Sequence, residues 1–231
     1  NRWNATITAA VDRNEWIYAG AQDGRLFVSS DRGLNWQTYT FSDSGPVRAL
    51  FVHPGDWRSA IAVMQNRVLR TSNGGQVWDD ITAGMGGNDL RGVAADPASG
   101  AIYLATAKGV FYGYADLQNL AAPPRWQPLE GGPSGAAILD VQLDEAGNQL
   151  FLLAEGFGLY ATMAPHRLRD LAVVNAADFS GREAAPGGLL SILGGRFESV
   201  RTGALNVPVL GRSDSETQIQ VPFEVQGETL P

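Results

Sequence analysis

Two sets of residues in this 231-residue chain recur at positions where they could do chemistry. Ser29, Asp31, Gly33 and Trp36 fall in SSDRGLNW, and Thr71, Asn73, Gly75 and Trp78 fall in TSNGGQVW, 42 residues further on. A carboxylate at Asp31 could serve as a catalytic acid, or it could accept backbone N–H groups and close a tight turn. Asn73 favours the turn, because an amide oxygen accepts the same N–H groups but offers no acid. The glycines supply positive φ, and the tryptophans fill the gap between neighbouring sheets. The second set is cationic: Arg48 and Arg91 share one position of a longer repeat, and Arg25, Arg67 and Lys108 share another. Guanidinium groups suit bidentate recognition of carboxylates. Five cations at one end of the strands would make an anion-binding mouth. The alternative is local pairing with Asp23, Asp43 and Asp89, or ordinary solvated loops.

The elements that carry these residues repeat four times. Each unit has an apolar strand, a turn, a second apolar strand, a short turn and a third strand. First strands are 5–12, 47–53, 90–96 and 138–144, second strands are 16–22, 59–65, 101–107 and 149–155, and third strands are 24–31, 66–73, 109–116 and 158–164. The aligned turn residues Asp12, His53, Asp96 and Asp144 lie 41, 43 and 48 residues apart. His53 takes a turn slot that Asp fills elsewhere, which predicts a capping role for it. Outer strands follow in three units, at 35–41, 77–82 and 125–130. The runs are short, rich in Val, Ile, Leu, Tyr and Phe, and bounded by Gly, Asn or Asp, which are strand signals. A period near 42 with several strands per unit is that of a β-propeller blade.

The segments SSDRGLNW and TSNGGQVW resemble the Asp-box, or bacterial neuraminidase repeat, Ser/Thr-x-Asp-x-Gly-x-x-Trp. Asn73 departs from its acid, Asp116 and Trp126 keep only parts of it, and the fourth unit has nothing comparable. Asp-box propellers include sialidases, xyloglucan-cleaving glycosidases, sortilin-like receptors and photosystem II assembly factors. The resemblance implies boxes at the blade periphery, away from the binding face, and assembly-factor propellers carry an arginine patch on one face. The Arg triad, Tyr nucleophile and paired acid of a sialidase do not map onto this sequence. Asp23, Asp43, Asp89 and Glu155 fall in loops where a glycosidase could hold its two carboxylates, but no motif singles one out.

Beyond the repeat, PHRLRDLA (165–172) reads as a polar connector containing His166. Then VVNAADF, GLLSILGGRF, ALNVPVL and TQIQVPFEV read as strands of a β-sandwich. The stretch from VVNAADF to QIQVPFEV resembles an Ig-like domain at the C-termini of large secreted acidobacterial proteins. Its length is well short of the roughly 100 residues of a typical Ig sandwich, so the domain is expected to be incomplete. At the other end, Trp3 precedes Asp12 by only nine residues, whereas Trp36 and Trp78 precede His53 and Asp96 by 17 and 18. Trp3 therefore cannot be an equivalent outer-strand residue, and either missing upstream blades or a closed ring of four would fit. The start at Asn1, with no apolar leader, predicts a matured or excerpted chain.

Composition narrows the function classes. The chain carries 17 basic and 24 acidic residues, a net charge of −7, which disfavours sequence-independent nucleic-acid binding. It has no cysteine and two histidines, which removes thiol chemistry and leaves no multi-histidine metal site. No apolar run reaches the roughly 18 residues of a membrane-spanning helix. No catalytic constellation, cofactor site or metal site emerges. The expected architecture is all-β: a β-propeller of at least four blades (1–165), a linker (166–172) and a partial Ig-like β-sandwich (173–231). The expected function is that of a non-catalytic exported binding or scaffold protein, extracellular, on the cell surface or periplasmic. Its candidate binding face is Arg25, Arg48, Arg67, Arg91 and Lys108, directed at a protein or an anionic glycan. A glycoside hydrolase of the propeller type is the first alternative, and an accessory or assembly subunit of a membrane-bound complex is the second.

Overall fold

Runs such as AIAVM and AIYLAT have no polar face, so any sheet built on them must be covered on both sides. The computed structural model covers them in this way. It describes residues 4–119, 122–130, 132–133, 135–168, 171–203, 205–213 and 215–225; Trp3 lies outside them. The described residues are all-β apart from one 3-10 turn, with six sheets.

The first sheet contains β1 (Ile7–Arg13), β2 (Trp16–Ala21), β3 (Leu26–Ser29) and β4 (Gln37–Tyr39), in that order. The second repeats the pattern with β5 (Val47–Val52), β6 (Ala60–Met64), β7 (Val68–Thr71) and β8 (Asp79–Asp80). The third does so with β9 (Leu90–Asp96), β10 (Ala101–Thr106), β11 (Gly109–Tyr114) and β12 (Gln127–Pro128). A fourth has three strands, β13 (Ile138–Leu143), β14 (Gln149–Ala154) and β15 (Gly158–Met163). In the first three sheets the strands pair antiparallel throughout. The outer strands are shorter than the sequence suggests, because the tryptophan opening each run is spent on packing. Trp126, for example, donates its indole N–H to Ile81 O at 3.1 Å and covers the apolar cluster around Ile102.

The first three sheets stack face to face. Leu26 of the first packs on Val47, Ala62 and Met64 of the second, and Ile61 and Val63 of the second pack on Leu90, Ile102 and Leu104 of the third. β1 lies against β5, and β5 against β9. The first two sheets approach so closely that a Cβ on Gly20 would sit 2.2 Å from Val47 Cγ1, which only glycine tolerates.

Contacts divide the chain into two compact units, 1–142 with 151–160 and 143–150 with 161–231. In the second, Pro165–Leu168 forms a 3-10 turn that buries His166, so this stretch is not wholly the polar connector its composition suggests. A four-stranded sheet follows, ordered β16 (Ala172–Asn175), β17 (Leu189–Leu193), β21 (Glu216–Gln220) and β20 (Val209–Arg212), with a separate hairpin of β18 (Val200–Thr202) and β19 (Leu205–Val207). The expected single strand ALNVPVL is split at Pro208, which has no N–H for a ladder. Leu190, Ile192, Val207, Ile219 and Val221 form this unit's core.

Candidate functional site

The two SSDRGLNW-type turns have the same geometry. Ser29 Oγ donates to Asp31 Oδ1 at 2.8 Å and accepts Gly33 N–H at 2.8 Å, while Asp31 Oδ1 accepts Asn35 N–H at 2.8 Å. Thr71 Oγ1 donates to Asn73 Oδ1 at 3.0 Å and accepts Gly75 N–H at 2.9 Å, and Asn73 Oδ1 accepts Val77 N–H at 3.0 Å. Acid and amide do the same work. Gly33 and Gly75 both have φ of +85°. The turns differ at their tryptophans: Trp36 Nε1 donates to Gly33 O at 2.8 Å, whereas Trp78 Nε1 is buried with no acceptor among the described residues. Likewise His53 Nδ1 accepts Gly55 N–H and Asp56 N–H, both at 2.9 Å, much as Asp144 Oδ1 accepts Asn148 N–H and Gln149 N–H.

One difference between acid and amide is measurable. The Asn35 backbone N–H, followed by the Asn35 amide, holds the Asp31 carboxyl below its ordinary value. A group depressed in the folded state stabilises above its unfolded pKa of about 3.9, and that contribution is lost as pH falls through the lower folded value. Asp31→Asn should therefore keep the turn, as the Asn73 turn illustrates, but lower the melting temperature at pH 7, because it gives up the charged acceptor and the bond from Asn35 Nδ2 to Asp31 Oδ2. Below about pH 4 the parent should lose stability relative to the variant. Parallel melts between neutral and acidic pH check this.

At the opposite end of the strands, the register of the first strand in each of the first three sheets skips one residue. The bulge falls at Thr8 in β1, at Arg48 in β5 and at Arg91 in β9. A bulge leaves one residue outside the ladder and re-aims its side chain. Thr8 Oγ1 turns to carbonyls, 3.2 Å from Gly20 O and 2.5 Å from Val47 O. Arg48 and Arg91 turn instead into a shared open cleft of about 450 Å³, also lined by Asp89, Leu139 and Glu155. Leu139 occupies the corresponding second position of β13.

The two guanidinium groups differ in their surroundings. Arg91 donates from Nε and Nη2 to Asp89 Oδ2 at 3.1 and 3.0 Å, and its Nη1 lies 3.6 Å from Glu155 Oε2. Arg48 is exposed and forms no ion pair or hydrogen bond through its side chain among the described residues. The cleft therefore holds one fixed, compensated arginine beside one available arginine, with two carboxylates on the fixed one.

The other three cations of the expected face have separate settings. Arg25 pairs with Asp23 at 2.7 Å, donates to Asn4 O at 3.2 Å and lies 5.4 Å over the Phe27 ring. Its hydrogen bond holds the Asp23 carboxyl below the usual range. Arg67 stands 3.6 Å from Asp80. Lys108 lines a different cleft of about 220 Å³ with Pro128, Leu129, Ile138 and Leu152. The structure thus brings together two of the five, Arg48 and Arg91. Local pairing accounts for Arg25 with Asp23, and an acid two residues before the arginine recurs as Asp89 with Arg91. That Asp-x-Arg spacing was legible in the sequence. Leu139 was missed, although extending the register to the fourth repeat identifies it.

No protein-family model and no curated protein matches the chain. Solved structures do match. The computationally designed Ika4 protein aligns at a TM-score of 0.52 and 13% identity, over 69% of this chain and 92% of that one. A nidogen/laminin complex aligns at 0.52 and 15%, over 70% of this chain and 62% of that one. An ancestral GH74 enzyme aligns at 0.55 and 14%, over 82% of this chain but only 27% of the enzyme. At these identities the likeness is one of fold. The six-sheet all-β architecture is compatible with a propeller.

Proposed function

We propose that the chain is a non-catalytic exported binding module, a run of β-propeller blades followed by an Ig-like β-sandwich, whose cleft takes a carboxylate-bearing protein or glycan. The observation that carries this reading is the Arg48 guanidinium, presented on a bulge with no partner among the described residues beside a second, oriented arginine. Both cleft carboxylates are turned onto Arg91, which leaves Arg48 to meet an incoming anion. The test is titration with poly-L-glutamate and with oligogalacturonate at low and physiological salt. Arg48→Ala with Arg91→Ala should weaken binding by about tenfold or more, since hydrogen bonds to charged groups contribute roughly 1.5–3 kcal/mol each. Binding should also weaken as salt rises, because exposed charges are screened within about 8–10 Å. Arg13→Ala, on a residue at the far end of β1, is the control. Binding of both polyanions unaffected by the double substitution would defeat the proposal.

A second reading has an observation of its own. Asp89 and Glu155 approach one guanidinium from within one cleft, and glycoside hydrolysis uses two such carboxylates. The fold likeness to a GH74 enzyme supports it. Reducing-end release from a panel of polysaccharides, abolished separately by Asp89→Asn and Glu155→Gln, would establish the hydrolase in place of the binding module.

A further inference from the structure

The arginine cleft is balanced in charge, and its opposite charges are kept apart. Two arginines and two carboxylates line it, with Leu139 as the apolar wall. Arg91 meets both acids: its Nε and Nη2 donate to Asp89 Oδ2 at 3.1 and 3.0 Å, and its Nη1 stands 3.6 Å from Glu155 Oε2. One guanidinium against two carboxylates leaves that cluster with an excess of one negative charge. Arg48 supplies the balancing positive charge, yet among the described residues it pairs with neither acid. A cation and a net anion therefore line one open space of about 450 Å³ without neutralising each other.

Each pole keeps capacity for a ligand. Arg48 is exposed, and none of its five side-chain N–H donors has an acceptor among the described residues. At the other pole, Arg91 engages Asp89 through Oδ2 alone and Glu155 through Oε2. Asp89 Oδ1 and Glu155 Oε1 therefore accept no hydrogen bond among the described residues. The Glu155 side chain is 64% exposed and its contact with Arg91 is long, so it can turn toward a second donor. Leu139 is exposed too, at the position of β13 that an arginine takes in β5 and β9.

We infer that the cleft binds a zwitterion, a carboxylate carried beside an ammonium on a small apolar body, as in a free aliphatic α-amino acid. The inference rests on the reading of Arg48 as a receptor for carboxylates and adds the second pole to it. A guanidinium takes a carboxylate through two parallel hydrogen bonds. An ammonium has three donors, which match the open oxygens of Asp89 and Glu155. A simple anion satisfies Arg48 but meets the excess negative charge around Arg91. A simple cation satisfies that cluster but meets Arg48. Either ligand brings a like charge into the same cleft, and that repulsion subtracts from its attraction. A zwitterion answers both poles at once, and its apolar body has Leu139 to pack against. The cleft's volume lies within the usual range of small-molecule sites.

Calorimetric titration of the full chain with leucine, N-acetylleucine and leucinamide tests this, because the last two each lack one of leucine's charges. At about pH 6.5 the α-amines are protonated and the carboxylates ionised. Leucine should bind saturably and about tenfold or more tighter than either relative, each of which gives up a charge-assisted contact. Its affinity should change little with salt, since the ligand has no net charge. Glu155→Gln should act with opposite signs: it weakens leucine by about threefold, in the range of an exposed ion pair, and strengthens N-acetylleucine. Arg48→Ala should weaken both ligands, with the melting temperature unchanged for both variants. Leucine that fails to bind, binds no tighter than N-acetylleucine, or gains affinity in Glu155→Gln overturns the inference, while binding of poly-L-glutamate through Arg48 would leave the anion-binding reading standing. If no carboxylate ligand, poly-L-glutamate included, responds to Arg48→Ala, that reading has failed and the inference fails with it.

Discussion

Replacing Trp78 by alanine should destabilise the protein by about 3 kcal/mol, the low end of the range for truncating a core aromatic, because the ring is half-buried. Trp78 follows the second turn and packs into clusters that join the first two sheets, beside Leu26, Val28, Val47 and Ala60. Its ring stands edge-on to Tyr18 and Tyr39, with centroids 6.4 Å away in each case. Aromatic pairs of this geometry contribute beyond area alone. Since Trp78 Nε1 has no acceptor among the described residues, Trp78→Phe forfeits no hydrogen bond. It should cost only about 1–2 kcal/mol, from lost volume. Trp36→Phe, by contrast, removes the bond to Gly33 O. Denaturant unfolding of the two alanine and phenylalanine variants at Trp78 checks the order, and equal losses would show that the indole nitrogen matters after all.

The second large effect is expected at Arg70. Its side chain on β7 is only 4% exposed, and it donates from Nε to Leu117 O at 2.7 Å and from Nη1 to Asp79 Oδ2 at 2.8 Å. The first bond spans 47 residues and fastens β7 to the segment following β11. Arg70→Ala should cost about 2–4 kcal/mol, combining the lost stem packing with a carbonyl left without its donor. Asp79 is 43% exposed, so water can take over its half of the ion pair, which limits that part of the loss. Arg70→Met restores the packing but not the donor and should recover roughly half of it. Urea midpoints of the two variants separate the contributions. If methionine is no better than alanine, the hydrogen bonds dominate.

The all-β architecture and most strands could be read from sequence because their signals are local. Continuous apolar runs such as AIAVM specify a strand buried on both faces, and Gly, Asn and Asp mark its ends. The turn chemistry of Ser29–Trp36 is local too: every hydrogen bond of Asp31 closes within four residues. Recurrence with Asn73 was enough to suggest that the acid acts as an acceptor. The Pro208 break and the 3-10 turn at Pro165–Leu168 are also local, yet composition alone did not separate them from a strand and a connector.

The candidate sites depended on distances that sequence does not encode. Five cations at two repeat positions looked alike in register, and Arg25, Arg67 and Lys108 share a turn position. Their partners differ: Asp23 is two residues from Arg25, whereas Asp80 meets Arg67 from across the sheet. Only Arg48 and Arg91 meet, because bulges in two adjacent first strands turn both side chains into one cleft, to which Leu139 and Glu155 come from the fourth repeat. The contact of the two sheets at Trp16 depends on distance in the same way: Gly74, from the second sheet's turn, comes close enough to the Trp16 ring that no Cβ fits between them. Apolar periodicity determines which residues form strands and which faces are buried. Which side chains become neighbours is decided by how the sheets stack, since that depends on packing between segments some 40 residues or more apart.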